Sequence, residues 1–195
     1  MTTSAREPLT RDRIIDTALH IVDGQGLGRL TMRRLGDALQ VEAMAIYHHL
    51  PRGKEELLDG LIAHVAALPA ALPRPAGGAP SAADWRALLR SWGTAYRARL
   101  LEHAGVLPLL VTRRNPAALA ATTASLREVL RMAGFLDGAA AAGAHTLLAF
   151  VIGHAALEAR GRSVRQAAEP SEDVDWDRLF AAGLDAVLAG LLTLP

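Results

Sequence analysis

Apolar residues recur every three or four positions through most of the chain, the spacing of one face of an α-helix. Ile14, Ile15, Ala18, Leu19 and Val22 form the first such stripe. Thr10 stands before it as an N-cap, and Gly24, Gly26 and Gly28 close it. Thr31 then caps a short helix with Met32, Leu35, Ala38 and Leu39 on its inner face. A second short helix is predicted from about Glu42 to His49, ended by Pro51 and Gly53. Lys54 opens a fourth helix with Leu57, Leu58, Leu61, Ile62 and Val65 on one side. Glu55 and Glu56 occupy its first turn, where the helix dipole favours acids.

Residues 68–80, LPAALPRPAGGAP, break the periodicity and read as a connection. Beyond them the pattern predicts further helices near 81–103 and 106–112. Another starts near Asn115, with Pro116 in its first turn, and stops at Gly134. A helix over 137–161 is followed by a polar connection over 162–173 and a last helix over 174–192. Between Asp137 and Glu158 no residue carries a formal charge. That length approaches a bilayer span, but three glycines, two histidines and many alanines fit a helix buried in a bundle or an interface better. No membrane partner is expected.

Composition supports an all-α chain. It is 51% hydrophobic yet only 4% aromatic, and the apolar content is mainly alanine, leucine and valine. There is no cysteine, hence no disulfide framework or thiolate metal site, and the polar N-terminus does not read as a secretory signal. A cytoplasmic location follows as the expectation. The net charge of +1 names no partner by itself. Residues 29–54, however, hold Arg29, Arg33, Arg34, Arg52 and Lys54 against Asp37 and Glu42, a local excess of +3 in a segment that also contains His48 and His49.

Two short helices separated by a tight turn and braced on each side by an amphipathic helix make a helix-turn-helix, whose second helix enters the DNA major groove. At these residues, LTMRRLGDALQVEAMAIYHHL followed by KEELLDGL, the chain resembles the DNA-binding domain of TetR-type transcriptional repressors over about residues 10–66. The resemblance implies that Tyr47 and Lys54 hold phosphates and that Thr31 and Arg33 reach the DNA backbone and a base edge. It places Ala43, Met44, Ala45 and His48 at the bases and His49 at the backbone. Small apolar side chains can touch a thymine methyl, and arginine can clamp guanine. Relative to the family, Leu50-Pro-Arg-Gly-Lys54 carries one extra residue, so Arg52 is a second candidate for the Lys54 role. Gly36 stands where alanine is common, a small-for-small exchange.

Residues 81–195 resemble, over shorter segments, the effector domain of the tetracycline repressor, through RLLEHAG, LLVTRRNP, RMAGFLDGA and GHAALEA. That resemblance implies a ligand pocket drawn from His64, Leu88, Trp92, Tyr96, Leu109, Thr112, Arg113, Leu126, Leu130 and His154. It also implies a homodimer built on the last two long helices. Glu158 matches an acid that helps hold hydrated magnesium, but Leu109 replaces the histidine that binds the metal directly. The pocket is therefore expected to be largely apolar, with no metal and no cofactor. Each of these residues is equally readable as ordinary bundle core.

The chain thus divides into a disordered tail (1–9), a three-helix helix-turn-helix domain with the start of a linking fourth helix (10–67), and a helical bundle for ligand binding and dimerisation (68–195). The expected function is that of a dimeric repressor released from a palindromic, double-stranded operator by a small, largely apolar effector. The alternative is a helical small-molecule-binding protein without DNA binding. No catalytic constellation appears: no G-x-S-x-G, phosphate loop or dinucleotide fingerprint is present. Adjacent His48 and His49 point about 100° apart on a helix and chelate poorly.

Overall fold

The computed structural model describes residues 8–67, 82–113, 116–167 and 174–193. All regular structure among them is helical. The connection expected over 68–80 and residues 1–7 of the expected tail lie outside the described residues, as does Asn115.

Helix α1, Arg11–Gln25, begins where the Thr10 side chain accepts a hydrogen bond from the Arg13 N–H, and it ends at Gly26, whose φ is +83°. A short 3-10 turn leads to α2, Met32–Leu39, which is capped in the same way: Thr31 Oγ1 accepts from the Arg34 N–H at 3.1 Å. Gln40 takes a left-handed conformation and turns the chain into α3, Ala43–His49. A Cβ on Gly36 would lie 2.9 Å from the Val41 carbonyl oxygen. The exchange of this glycine for alanine therefore requires the turn to shift, because its nearest neighbour is backbone.

Helix α4, Lys54–Ala66, buries Leu57, Leu58, Leu61, Ile62 and Val65. The remaining helices are α5 (Ala82–Glu102), α6 (Leu107–Thr112), α7 (Pro116–Met132), α8 (Asp137–Ala167) and α9 (Trp176–Gly190). Helix α7 closes with Gly134 at φ +94°. The Phe135 N–H donates to the Leu130 carbonyl at 3.1 Å and the Gly134 N–H to that of Arg131 at 3.0 Å, which satisfies two orphan carbonyls. Phe135 then sets its ring edge-on against Trp85 of α5.

Helix α8 is the centre of the second half. It packs against α7, α5 and α9, with Ala140, Ala144, Leu147, Val151 and Ala155 fully buried. By length and composition it could cross a bilayer, yet this face belongs to the protein core. It also runs beyond the predicted end at 161. Residues 162–167, expected in a connection, are helical. Arg162 reaches back one turn to Glu158 at 2.6 Å and the Ser163 hydroxyl donates to the Ala159 carbonyl at 3.0 Å, while the next proline is Pro170.

Glu158 is fully buried, and its two oxygens accept a fork of 2.8 Å hydrogen bonds from Arg97 of α5. Arg97 also pairs with Asp177 at 2.7 Å and lies over the Phe180 ring, so one arginine joins α5, α8 and α9. Removing one partner of such a buried pair strands the other charge. Glu158→Ala is expected to lower unfolding free energy by about 3–5 kcal/mol, read from urea denaturation. A loss within about 1 kcal/mol would show that water already satisfies Arg97.

Candidate functional site

The face of α3 is presented from below by the core. Ile46 and Leu50 are fully buried, so the opposite side of the short helix points outward. Met44 is 69% exposed, Tyr47, His48 and His49 are exposed, and Ala43 and Ala45 are half-buried. The extra residue in Leu50-Pro-Arg-Gly-Lys54 is absorbed by a turn whose last residue, Gly53, has φ +56° and ψ −127°, a conformation almost reserved for glycine. A Cβ on Gly53 would stand 2.7 Å from the Tyr47 ring. The glycine thus lets the Tyr47 ring approach the turn closely.

Lys54, the first residue of α4, is exposed and has no ion pair among the described residues. Arg52 differs. Its guanidinium holds Asp59 at 3.2 Å and its N–H donates to Glu56 Oε2 at 3.3 Å, so its charge is already matched inside the domain. Around α2, Arg29, Thr31, Arg33 and Arg34 line a concave surface, and the three arginines lack a carboxylate partner among the described residues. Unmatched cations beside an exposed α3 are what a polyanion requires.

The effector-half candidates fall into several settings. Trp92 and Tyr96 stack at 5.3 Å inside the bundle, and Leu109, Leu126 and Leu130 are buried, while Leu88 and His64 are half-buried. Burial pushes the Tyr96 pKa up to about 12. Its hydroxyl and that of Thr122 both donate to the Ala66 carbonyl at the end of α4. Trp92 Nε1 is buried without an acceptor among the described residues. His154 is boxed by Phe150, Trp176 and Phe180; its Nδ1 lies 3.7 Å from Glu158 Oε2, and neither ring nitrogen has a hydrogen-bond partner among the described residues. Thr112 lies exposed on the wall of a cleft between α6 and α8. Arg113 turns away toward α4, where it holds Glu55 at 2.7 Å and Asp59 at 3.3 Å.

Glu158 does not fit the hydrated-magnesium role that its position suggests. Two arginines occupy its oxygens, and the carboxylate has no charge left to offer a cation. Among the described residues no cluster of three His, Asp or Glu side chains could hold a metal.

Two family models account for most of the chain. "Bacterial regulatory proteins, tetR family" matches residues 14–61 and "Tetracyclin repressor-like, C-terminal domain" matches residues 77–174. The chain belongs to the TetR family. It is a ligand-responsive DNA-binding transcriptional regulator and not an enzyme. An HTH-type transcriptional regulator of Saccharopolyspora erythraea is 27% identical over 94% of this chain and 84% of its own length. The TetR-family protein ActR of Streptomyces coelicolor, solved in complex with actinorhodin, is 28% identical, with a TM-score of 0.75 over 96% of this chain and 98% of that one. BioQ, solved with its double-stranded DNA operator, is 26% identical, with a TM-score of 0.70 over 96% of this chain and all of that one (100%).

Neither the Arg113 clamp of this TetR-family regulator nor the α6–α8 cleft was legible in the sequence. The Arg113 partners are more than fifty positions away, the cleft walls come from two helices distant in the chain, and no periodicity reports such pairs.

Gly53→Ala is expected to reduce stability by about 1–3 kcal/mol in urea unfolding, because it forces a strained backbone and dislodges Tyr47. A second expectation concerns pH. Burial lowers the His154 pKa, helped by the Arg97 charge and opposed by Glu158. The unfolded chain therefore takes up a proton that the folded ring resists. Stability from this group is complete above about pH 6.5 and is lost as pH falls below it. His154→Phe should flatten the fall in urea midpoint between about pH 7.5 and about pH 5.5. An unchanged fall would place the loss on other groups.

Proposed function

We propose that this TetR-family regulator is a homodimeric repressor that grips a palindromic operator and leaves it when a small, largely apolar molecule binds the effector half. The observation that carries the reading is the outward face of α3, with Met44, Tyr47, His48 and His49 exposed beside Lys54 and Arg33, which have no ion pair among the described residues. Tyr47, Lys54, Thr31, Arg33 and His49 serve the phosphates and set register; Ala43, Met44, Ala45 and His48 meet the bases, with Arg33 reaching a base edge as well. Arg52, held by Asp59, supports the turn more than it serves the DNA. The operator complex of BioQ and the actinorhodin complex of ActR support DNA and a small molecule as the two partners. A DNA partner supports a cytoplasmic location.

The dimer is supported by what α8 and α9 leave outside. Ala141, Ala142, Ala149 and Gly153 of α8, with Leu179, Ala182 and Ala186 of α9, are exposed on helices whose other faces fill the core. Small residues allow close helix approach, and two helices from each copy would form a four-helix contact. A two-fold pair presents two copies of α3 about 34 Å apart, one turn of DNA. An effector then acts through its preference for one spacing. A ~100-fold loss of operator affinity needs about 2.7 kcal/mol of differential binding.

Selection of bound fragments from genomic DNA identifies the operator, and titration of that operator tests the contacts. Tyr47→Phe keeps the ring over Gly53 and removes one hydroxyl, so affinity should fall about two- to tenfold. Lys54→Ala should weaken all sequences alike and reduce the dependence of log affinity on log salt by about 1. Parent-like binding and salt dependence in both variants would refute these contacts.

A further inference from the structure

Between α6 and the last turns of α8 lies a cavity of about 520 Å³, within the range that holds a small organic molecule. Leu107, Pro108 and Val111 form one wall, and Ala156 and Ala159 the other. Val111, 64% exposed, adds apolar surface to the mouth of the cleft.

The polar groups at the rim are few and specific. Arg160 lines the cavity and has neither an ion pair nor a hydrogen bond among the described residues. Its neighbours in the fold are different: Arg97, Arg113 and Arg162 are each bound to carboxylates. The hydroxyls of Thr112 and Ser163 donate to the Pro108 and Ala159 carbonyls, which leaves their oxygens free to accept. One unmatched cation and two acceptors on apolar walls define a complementary ligand. We propose that this cleft binds a small organic anion: an apolar body whose acidic group pairs with Arg160 and whose hydroxyl or amide N–H donates to Thr112 or Ser163.

This inference rests on the reading that the effector half takes a small molecule, and it supplies that molecule's charge and position. It also supplies a route to the DNA. Thr112, in the cavity wall, is followed directly by Arg113, which holds Glu55 and Asp59 of α4. A ligand that draws Thr112 toward α8 pulls on the pairs that set the DNA-proximal half of α4.

The test uses the full-length protein and two fluorescent probes with one carbon frame. These are 1-anilinonaphthalene-8-sulfonate and N-phenyl-1-naphthylamine, which lacks the acid. The parent should bind the sulfonate saturably, one per chain and about tenfold more tightly than the amine, the ratio expected for one charge-assisted contact. Arg160→Gln, a surface change that leaves the fold intact, should erase that preference. Ala156→Trp should fill the cavity and abolish both signals, with its helicity checked by circular dichroism. Equal sulfonate affinity in the parent and Arg160→Gln would overturn the proposal, and so would retained binding in a folded Ala156→Trp. A fall in the dimer's mass on light scattering with Ala156→Trp would assign the cavity to a second copy of the chain and also overturn it. If the probe behaves as expected but leaves operator affinity unchanged, the anion site stands and the release mechanism falls. If no probe binds while the selected operator still does, the site falls and the DNA reading stands.

Discussion

Helix α4 is tied at both ends to parts of the protein that serve different purposes, and that double attachment governs the rest. At its C-terminus the orphan carbonyls of the last turn are taken by side chains from the second half: Arg99 donates to the His64 carbonyl at 2.7 Å, and Tyr96 and Thr122 donate to that of Ala66. Near its N-terminus Arg113 holds Glu55 and Asp59, and Asp59 also holds Arg52 of the turn beneath α3. The apolar face between these ties, Leu57, Leu61, Ile62 and Val65, is buried in a core shared with α1. Both ends of helix α4 are thus held by side chains from outside the helix.

The DNA-facing half was legible because its signals are local. Thr10 and Thr31 cap the helices that their positions announce, and both caps are seen as hydrogen bonds three residues long. The Lys54 start of α4 is where the sequence placed it, whereas the burial of Ile46 and Leu50 beneath α3 is seen only in the structure. The extra residue before Lys54 raised a question that only geometry could answer. Gly53 takes a backbone conformation available to almost no other residue, and the turn absorbs the insertion beneath Tyr47. Arg52 pairs with Asp59, and Lys54 has no ion pair among the described residues.

The second half was legible as helices and much less so as chemistry. Heptad-like spacing in an alanine- and leucine-rich segment marks a buried face but does not say what lies opposite. Arg113 reads as a pocket residue by resemblance, and in space it crosses to α4. Glu158 reads as a helper of magnesium, and it is the buried anchor of Arg97. The end of α8 was placed too early because Arg162 and Ser163 look like connection residues until their i−4 partners are seen.

The central claim is that two copies of the α3 face read one DNA duplex. Hydroxyl-radical footprinting of the selected operator tests it most directly. The account predicts two protected patches on one face of the duplex, related by a dyad and about 10 base pairs apart from centre to centre. A single asymmetric patch, or two patches whose separation is unrelated to the helical repeat, would contradict it.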